Sequence, residues 1–292
     1  MTVVDAPAPV LSAHQTPWHV GAVTLTVHDL KTVLAFYRDA IGLAVIDETG
    51  GKATLGAGGV PLLNLVEDAN ARRRSPREAG LFHTAFLVPS RADLADWVRH
   101  AMRIKLPMEG ASDHLVSEAL YLSDPEDNGI EIYADRAKGD WTWQADGVAM
   151  STERLNIAGL LEEGIDRPFQ GMAAGTRVGH IHLQVGDIAT AERFYHEVLG
   201  LDVTARRNGG TFYSTGRYHH HVATNVWQSR GAGPRDLPST GLSGFEWVAA
   251  DAATFAKLRE RLQEAETPFS VDGGTIKLAD PWRNTVVLTV AG

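Results

Sequence analysis

The chain has 292 residues, 44% hydrophobic and 22% charged, a balance expected of a globular protein with about two domains and a sizeable core. It contains no cysteine, which excludes disulfides, thiolate metal sites and cysteine nucleophiles. A net charge of −9 argues against a general phosphate-backbone binder, which needs a concentrated basic surface.

The leader, residues 1–16, is Pro/Ala-rich and expected to be loosely ordered. It lacks a basic region followed by an apolar run, so it does not read as a signal peptide. No stretch approaches the ~20 apolar residues that span a bilayer. A cytoplasmic location, with neither membrane nor nucleic acid as partner, is the expectation, and the absence of cysteine is compatible with it.

A first domain is expected over residues 17–136. VTLTV at 23–27 alternates apolar and polar residues, as a half-buried strand should. Asp29 can cap a following helix that sets Leu30, Leu34, Tyr37 and Ile41 on one face. The run Arg72-Arg73-Arg74 reads as a solvated loop. LFHTAFLV at 81–88 predicts a strand, followed by an amphipathic helix at roughly 91–104 and strands near 117–122 and 129–133. Residues 137–176 form a linker with a short helix around 155–163. The second domain, 177–292, opens with the strand IHLQV, the cap Asp187, and then Ile188, Ala191, Tyr195 and Val198 on a helix.

These elements repeat. VGAVTLTVHDL at 20–30 returns as VGHIHLQVGDI at 178–188, and FYRDAIGL at 36–43 as FYHEVLGL at 194–201, both 158 residues later. DPEDN at 124–128 returns as DPWRN at 280–284, 156 residues later. The fold class is therefore α+β, a tandem duplication in which each half holds two βαβββ modules.

Paired βαβββ modules with FY…GL after the first helix and DPxxN before the last strand resemble the vicinal oxygen chelate superfamily, whose modules curl into open barrels around a divalent metal. The resemblance covers roughly 18–136 and 177–290. It implies ligands from the first strand of one module and the first and last strands of its partner. In the repeat register these positions are Ala22, His83 and Glu131 in the first half and His180, Gly244 and Val287 in the second. Neither half is complete, but the vacancies complement each other. If the second module of the first half pairs with the first module of the second, one site receives His83, Glu131 and His180. The other would receive Ala22, Gly244 and Val287, and could bind nothing. Two histidines and a carboxylate on one face of an ion are the triad of non-haem iron(II) oxygenases, although Mn(II), Zn(II) or Ni(II) also suit these donors. Lone histidines such as His14, His19, His28 and His100 read as ordinary packing or surface residues. Glu131, inside the short strand GIEIY, needs a partner to offset desolvation.

SDHLVSEALYLSDPEDNGIE at 112–131 resembles the signature of type I extradiol ring-cleavage dioxygenases, of the catechol 2,3-dioxygenase kind. His114, Tyr121, Pro125 and Glu131 fall at its spacing, while Asp127 stands where Gly or Pro is expected and Ser112 replaces a small or apolar residue. Asp127-Asn128-Gly129 can still turn tightly. The resemblance implies that His114 exchanges a proton or hydrogen bond with substrate oxygen and that Tyr121 bonds a catechol oxygen; simple strand packing is the other reading of Tyr121. RYHHHVATNVW at 217–227 supplies a second histidine cluster. On a regular strand His219, His221, Ala223 and Asn225 share one face, so His221 is taken by parity as the catalytic histidine assisting O₂ activation, with His220 as the alternative if a bulge intervenes. Asn225 sits where related isomerases place a Glu ligand, which favours a three-ligand site.

The function implied is extradiol cleavage of a catechol-type substrate with O₂ at a single Fe(II), Mn(II) being the alternative ion. Two other readings stand beside it: a glyoxalase-like metal-dependent isomerase or lyase, and a metal-free binding protein of the bleomycin-resistance kind. Superfamily members often pair through sheet surfaces, so a homo-oligomer is possible.

Overall fold

The computed structural model describes residues 11–165 and 168–292. The first module contains β1 (Trp18–Val27), α1 (Leu30–Phe36), β2 (Ala44–Thr49), β3 (Lys52–Ala57) and β4 (Val60–Glu67). The second has β5 (Gly80–Leu87), α2 (Arg91–Arg103), β6 (Gly110–Asp113), β7 (Ser117–Ser123) and β8 (Gly129–Asp135). The linker holds short strands β9 (Trp143–Gln144), β10 (Gly147–Val148) and β11 (Glu153–Arg154), then α3 (Ile157–Leu161). The third module runs β12 (Arg177–Gln184), α4 (Ile188–Glu192), β13 (Asp202–Arg207), β14 (Gly210–Ser214) and β15 (Val222–Asn225). The fourth runs β16 (Gly241–Ala249), α5 (Ala252–Glu264), β17 (Phe269–Asp272), β18 (Thr275–Ala279) and β19 (Thr285–Val290).

The capping expected of Asp29 and Asp187 is met, and Ser90 and Asp251 cap the helices of the other two modules in the same way. Asp29, Ser90, Asp187 and Asp251 each accept a hydrogen bond from the backbone N–H three residues on, satisfying one otherwise unpaired donor of the first turn. No helix among the described residues is long and apolar enough to cross a membrane.

The repeated FY and DPxxN motifs bond to each other. α1 continues into a wider π-helical turn, Tyr37–Ile41, and the Tyr37 hydroxyl donates to Asp124 Oδ2 (3.3 Å). Asp124 Oδ1 also accepts from the N–H groups of Glu126 (2.8 Å) and Asn128 (2.9 Å), and the Asn128 amide donates to Oδ2 (2.8 Å). Asp280 repeats the arrangement with Trp282, Asn284 and the Tyr195 hydroxyl (2.9 Å). Each pair thus ties the first module of a half to its second. Asp127 and Arg283 occupy the left-handed region of these turns, at φ +62° and +67°, which is why glycine suits the position and why aspartate is tolerated there. Burial raises the pKa of both Asp124 and Asp280, although their hydrogen bonds oppose it. Asp280→Ala would leave the Tyr195 hydroxyl and the Asn284 amide without their partner, so a loss of about 3 kcal/mol or more is expected, read as a lowered urea midpoint at unchanged slope.

The sheets are assembled by exchange between the halves. One has the order β17-β18-β19-β16-β1-β4-β3-β2, the other β11-β6-β7-β8-β5-β12-β15-β14-β13. The first module therefore pairs with the fourth through antiparallel β1 and β16, and the second with the third through antiparallel β5 and β12. The main apolar core draws on all four modules. A second cluster, containing Ala13, Ala85, Leu87, Tyr133, Trp141 and Tyr218, joins the leader and linker to the second sheet.

Two expectations are corrected. The end of the leader is not loose: Ala13 and Thr16 are buried, and the Leu11 N–H donates to the Gly216 carbonyl (3.3 Å). Small side chains there fit against the aromatic cluster, which composition alone does not reveal. The leader's first ten residues lie outside the described ones. The Arg72–Arg74 segment is only partly solvated, because Arg74 donates to the carbonyls of Leu81 (2.8 Å) and Asp127.

Candidate metal centre and its cavity

Strand register brings the histidines and the carboxylate together. Ala85 on β5 lies opposite His180 on β12 and opposite Glu131 on β8. His180 and Glu131 are thus two strands apart at one level, with a side chain no larger than methyl between them. His83 lies two residues before Ala85, on the same face by strand alternation. The opposite faces carry Ile130, Ile132, Ile181 and Leu183 into the main core, which sends Glu131 and His180 the other way.

The three donor atoms form a small triangle. His83 Nε2 lies 3.0 Å from Glu131 Oε2, His180 Nε2 lies 3.2 Å from the same oxygen, and the two nitrogens are 3.2 Å apart. All three side chains are buried, and this is the one group of its kind among the described residues. Donors about 2.1 Å from a shared ion and at right angles to one another sit about 3.0 Å apart, against about 3.4 Å for tetrahedral angles. The observed edges therefore suit three neighbouring positions of an octahedron. Burial would raise the Glu131 pKa, but the two imidazoles outweigh it and hold the carboxyl well below its usual range. Burial brings His180 down to about 4, although Glu131 opposes this. A carboxylate and a neutral imidazole are the forms that ligate metals, so this buried His-Glu-His group could bind a metal ion.

A cavity of about 300 Å³ opens over the triangle, lined in part by Phe82, His114, Tyr121, His182, His220 and Trp227. A larger, more polar cleft of about 580 Å³ shares Phe82, His83 and Tyr121 with it and is bounded by Arg73, Arg74, Glu109 and Glu126.

His114 and Tyr121 are joined. His114 Nδ1 is 2.6 Å from the Ser151 carbonyl, an acceptor only, so Nδ1 carries the proton. Its Nε2 is then free to accept from the Tyr121 hydroxyl at 2.6 Å. Tyr121 lies opposite Glu131 across β7 and β8; burial and the Glu131 charge raise its pKa well above the usual value, keeping it a neutral phenol.

The histidine run departs from the parity expectation. His219, His220 and His221 precede β15 and follow a turn in which Arg217 has φ +56°, so strand alternation does not govern them. His220 lines the cavity, with its ring 4.1 Å from that of His180. His221 points elsewhere: its Nε2 donates to the Ala13 carbonyl (2.7 Å), and its Nδ1 accepts from Ser214 Oγ (2.9 Å). It packs between Tyr218 and Trp247. His221 is therefore corrected to a buried packing residue and His220 takes its place at the cavity.

A family model described as the Glyoxalase/Bleomycin resistance protein/Dioxygenase superfamily matches residues 19–132 and 177–288. The chain belongs to that superfamily. A Bacillus subtilis (strain 168) protein named catechol-2,3-dioxygenase is 36% identical over 272 residues, covering 90% of this chain and 94% of that protein. Among solved structures, glyoxalase I from Zea mays aligns with a TM-score of 0.57 at 11% identity, covering 94% of this chain and 93% of that one. The cppA protein of Streptococcus pneumoniae aligns at 0.55 and 13% identity, covering 94% and 100%. At such identities the likeness extends to the superfamily fold alone.

Within this superfamily frame, sequence reasoning passed over His182. It lies two residues after His180 on β12, and its ring is 4.9 Å from His83. Period-two alternation already puts it on the same face, which was the available signal. Asn225 is committed nearby: its oxygen accepts from the Trp227 N–H (3.1 Å), and its amide donates to His182 Nε2 (3.0 Å).

Proposed function

We propose that this chain is an extradiol-type dioxygenase that opens a catechol-type ring with O₂ at one Fe(II) held by His83, Glu131 and His180. The observation that carries this reading is the buried donor triangle, spaced for one face of an octahedron, with a cavity over the opposite side. The identity with a protein named catechol-2,3-dioxygenase supports it. Mn(II) suits the same donors.

When bound, the ion would act as a template for substrate oxygens and O₂ and supply the one-electron chemistry the reaction needs. The chain's own residues do the rest. Phe82 and Trp227 give one side of the cavity an aromatic wall. Its volume of about 300 Å³ is at the small end of ligand pockets, which suits a single-ring substrate. Tyr121, a neutral phenol whose proton is held by His114 Nε2, would accept a hydrogen bond from a substrate hydroxyl at its oxygen. His220, on the far side of His180, would receive or return a proton at the ring being opened.

A glyoxalase-like reading usually calls for a fourth carboxylate-type ligand, and Asn225, already bonded to His182 and Trp227, is not one. Anaerobic loading with Fe(II) followed by catechol and air tests the proposal. O₂ uptake with a yellow ring-opened semialdehyde is expected; metal-dependent thiohemiacetal turnover without it would favour the isomerase, and tight ligand binding with neither a metal-free binder. His114→Phe should keep the metal and lose roughly 10²–10⁴-fold in turnover, measured against metal content; undiminished turnover would remove its role.

A further inference from the structure

His219 and Asp135 are buried or half-buried, outside the donor triangle, and not used by the mechanism above. Their hydrogen bonds form a chain whose direction can be worked out. Asp135 Oδ1 accepts from the Tyr218 hydroxyl (3.1 Å) and faces His219 Nε2 (2.9 Å). A carboxylate offers no proton, so His219 carries its own on Nε2. The Tyr218 hydroxyl, spent on Asp135, accepts from that of Tyr133 (2.8 Å), which closes this branch. Gly179 makes room for it, because a Cβ there would lie 1.8 Å from the Tyr133 hydroxyl.

The other branch leads to the cavity. In its uncharged form, with the one proton on Nε2, His219 presents a lone pair at Nδ1, and His220 Nδ1 lies 2.8 Å from it. Two N–H groups cannot face each other at that distance, and two lone pairs would repel. His220 must therefore carry its proton on Nδ1. Its Nε2, on the cavity side of the ring, is left as an acceptor. The reverse assignment would turn a bare His219 nitrogen toward the Asp135 carboxylate, leaving two acceptors in contact.

We infer that Asp135 and His219 are positioning residues that set the tautomer of His220, so that its Nε2 meets the substrate as a proton acceptor. The arrangement has the logic of a buried carboxylate holding an imidazole in one tautomer, lengthened by one ring. His219 is fully buried, and its ring lies 5.1 Å from that of Trp141, so the geometry is held by packing as well as by hydrogen bonds. The inference rests on the dioxygenase reading only for what His220 does to substrate; the tautomer itself does not depend on it.

Nitrogen-15 NMR of the imidazoles, on the full chain loaded with diamagnetic Zn(II), tests the tautomer directly. The His220 signals, identified by their loss in His220→Gln, should show a protonated Nδ1 and a bare Nε2. A proton on Nε2 in the parent protein would overturn the inference without any variant. In His219→Leu the acceptor is gone, and His220 should shift toward the Nε2–H form; an unchanged tautomer also overturns it. With Fe(II), catechol and O₂, His219→Leu should lower kcat by roughly 10–100-fold, the usual cost of losing an outer partner, with little change in KM or bound metal. His219→Asn, whose amide oxygen can accept from His220 Nδ1, should recover most of that loss. Equal kcat in the leucine variant and the parent would count against the positioning role. A parent protein that leaves catechol untouched sinks the proposed function, while the NMR result still decides the tautomer.

Discussion

Glu131→Ala and His180→Ala are each expected to abolish stoichiometric metal binding, although the two residues come from different halves of the chain. The triangle explains why. Its edges are 3.0–3.2 Å, so each donor is equally close to any ion at the centre. Removing one leaves two donors in a buried site that cannot be completed by a neighbour, since His182 bonds Asn225. Loss of an outer partner of a metal ligand costs roughly 10–100-fold in affinity, and loss of a ligand should exceed that. The measurement is metal content after anaerobic reconstitution and desalting, with circular dichroism as a check on folding. If the three side chains only pack together, both variants would match the parent protein in whatever metal they hold. Stoichiometric iron in either variant would refute the shared site.

The exchange of modules was legible because the vacancies in the two halves are complementary. His83 and Glu131 lack a first-strand partner in their own half, and His180 lacks both of its own. The strand order joins β8, β5 and β12 in one sheet and brings the three together. The helix caps and the FY and DPxxN motifs were legible for a local reason, since each acts through hydrogen bonds within a few residues or within one half. What sequence could not supply was backbone direction outside regular elements. Parity assumes a strand, and the left-handed Arg217 ahead of the three histidines breaks the alternation. The leader failed similarly: burial of Ala13 depends on a pocket made by Tyr218 and Trp141, more than a hundred residues away.

His220 and His221, though adjacent, should respond differently to substitution. His220→Phe should keep its metal but lose roughly 10²–10⁴-fold in turnover, as for loss of an acid–base group. His221→Leu should keep turnover per folded molecule and lose stability instead. At pH 8 the cost is about 2 kcal/mol, because two buried hydrogen bonds are lost, although the Ala13 carbonyl keeps Thr16 Oγ1 and Ser214 Oγ keeps the Thr215 carbonyl. That cost should shrink in acid. Burial brings the folded His221 pKa down to about 3 from 6.5, although its bond to Ala13 opposes this. Between those values the unfolded chain binds a proton that the folded one refuses, so parent stability falls as pH drops below about 6.5 and is unaffected above it. At about 1.4 kcal/mol per pH unit, His221 accounts for about 3 kcal/mol of acid destabilisation by pH 4, which the leucine variant escapes. Urea unfolding of both proteins at pH 8 and pH 4 should therefore show the gap closing or changing sign. A gap that widens in acid would mean that His221 is charged in the folded protein, which its carbonyl and hydroxyl partners inside an aromatic pocket do not support.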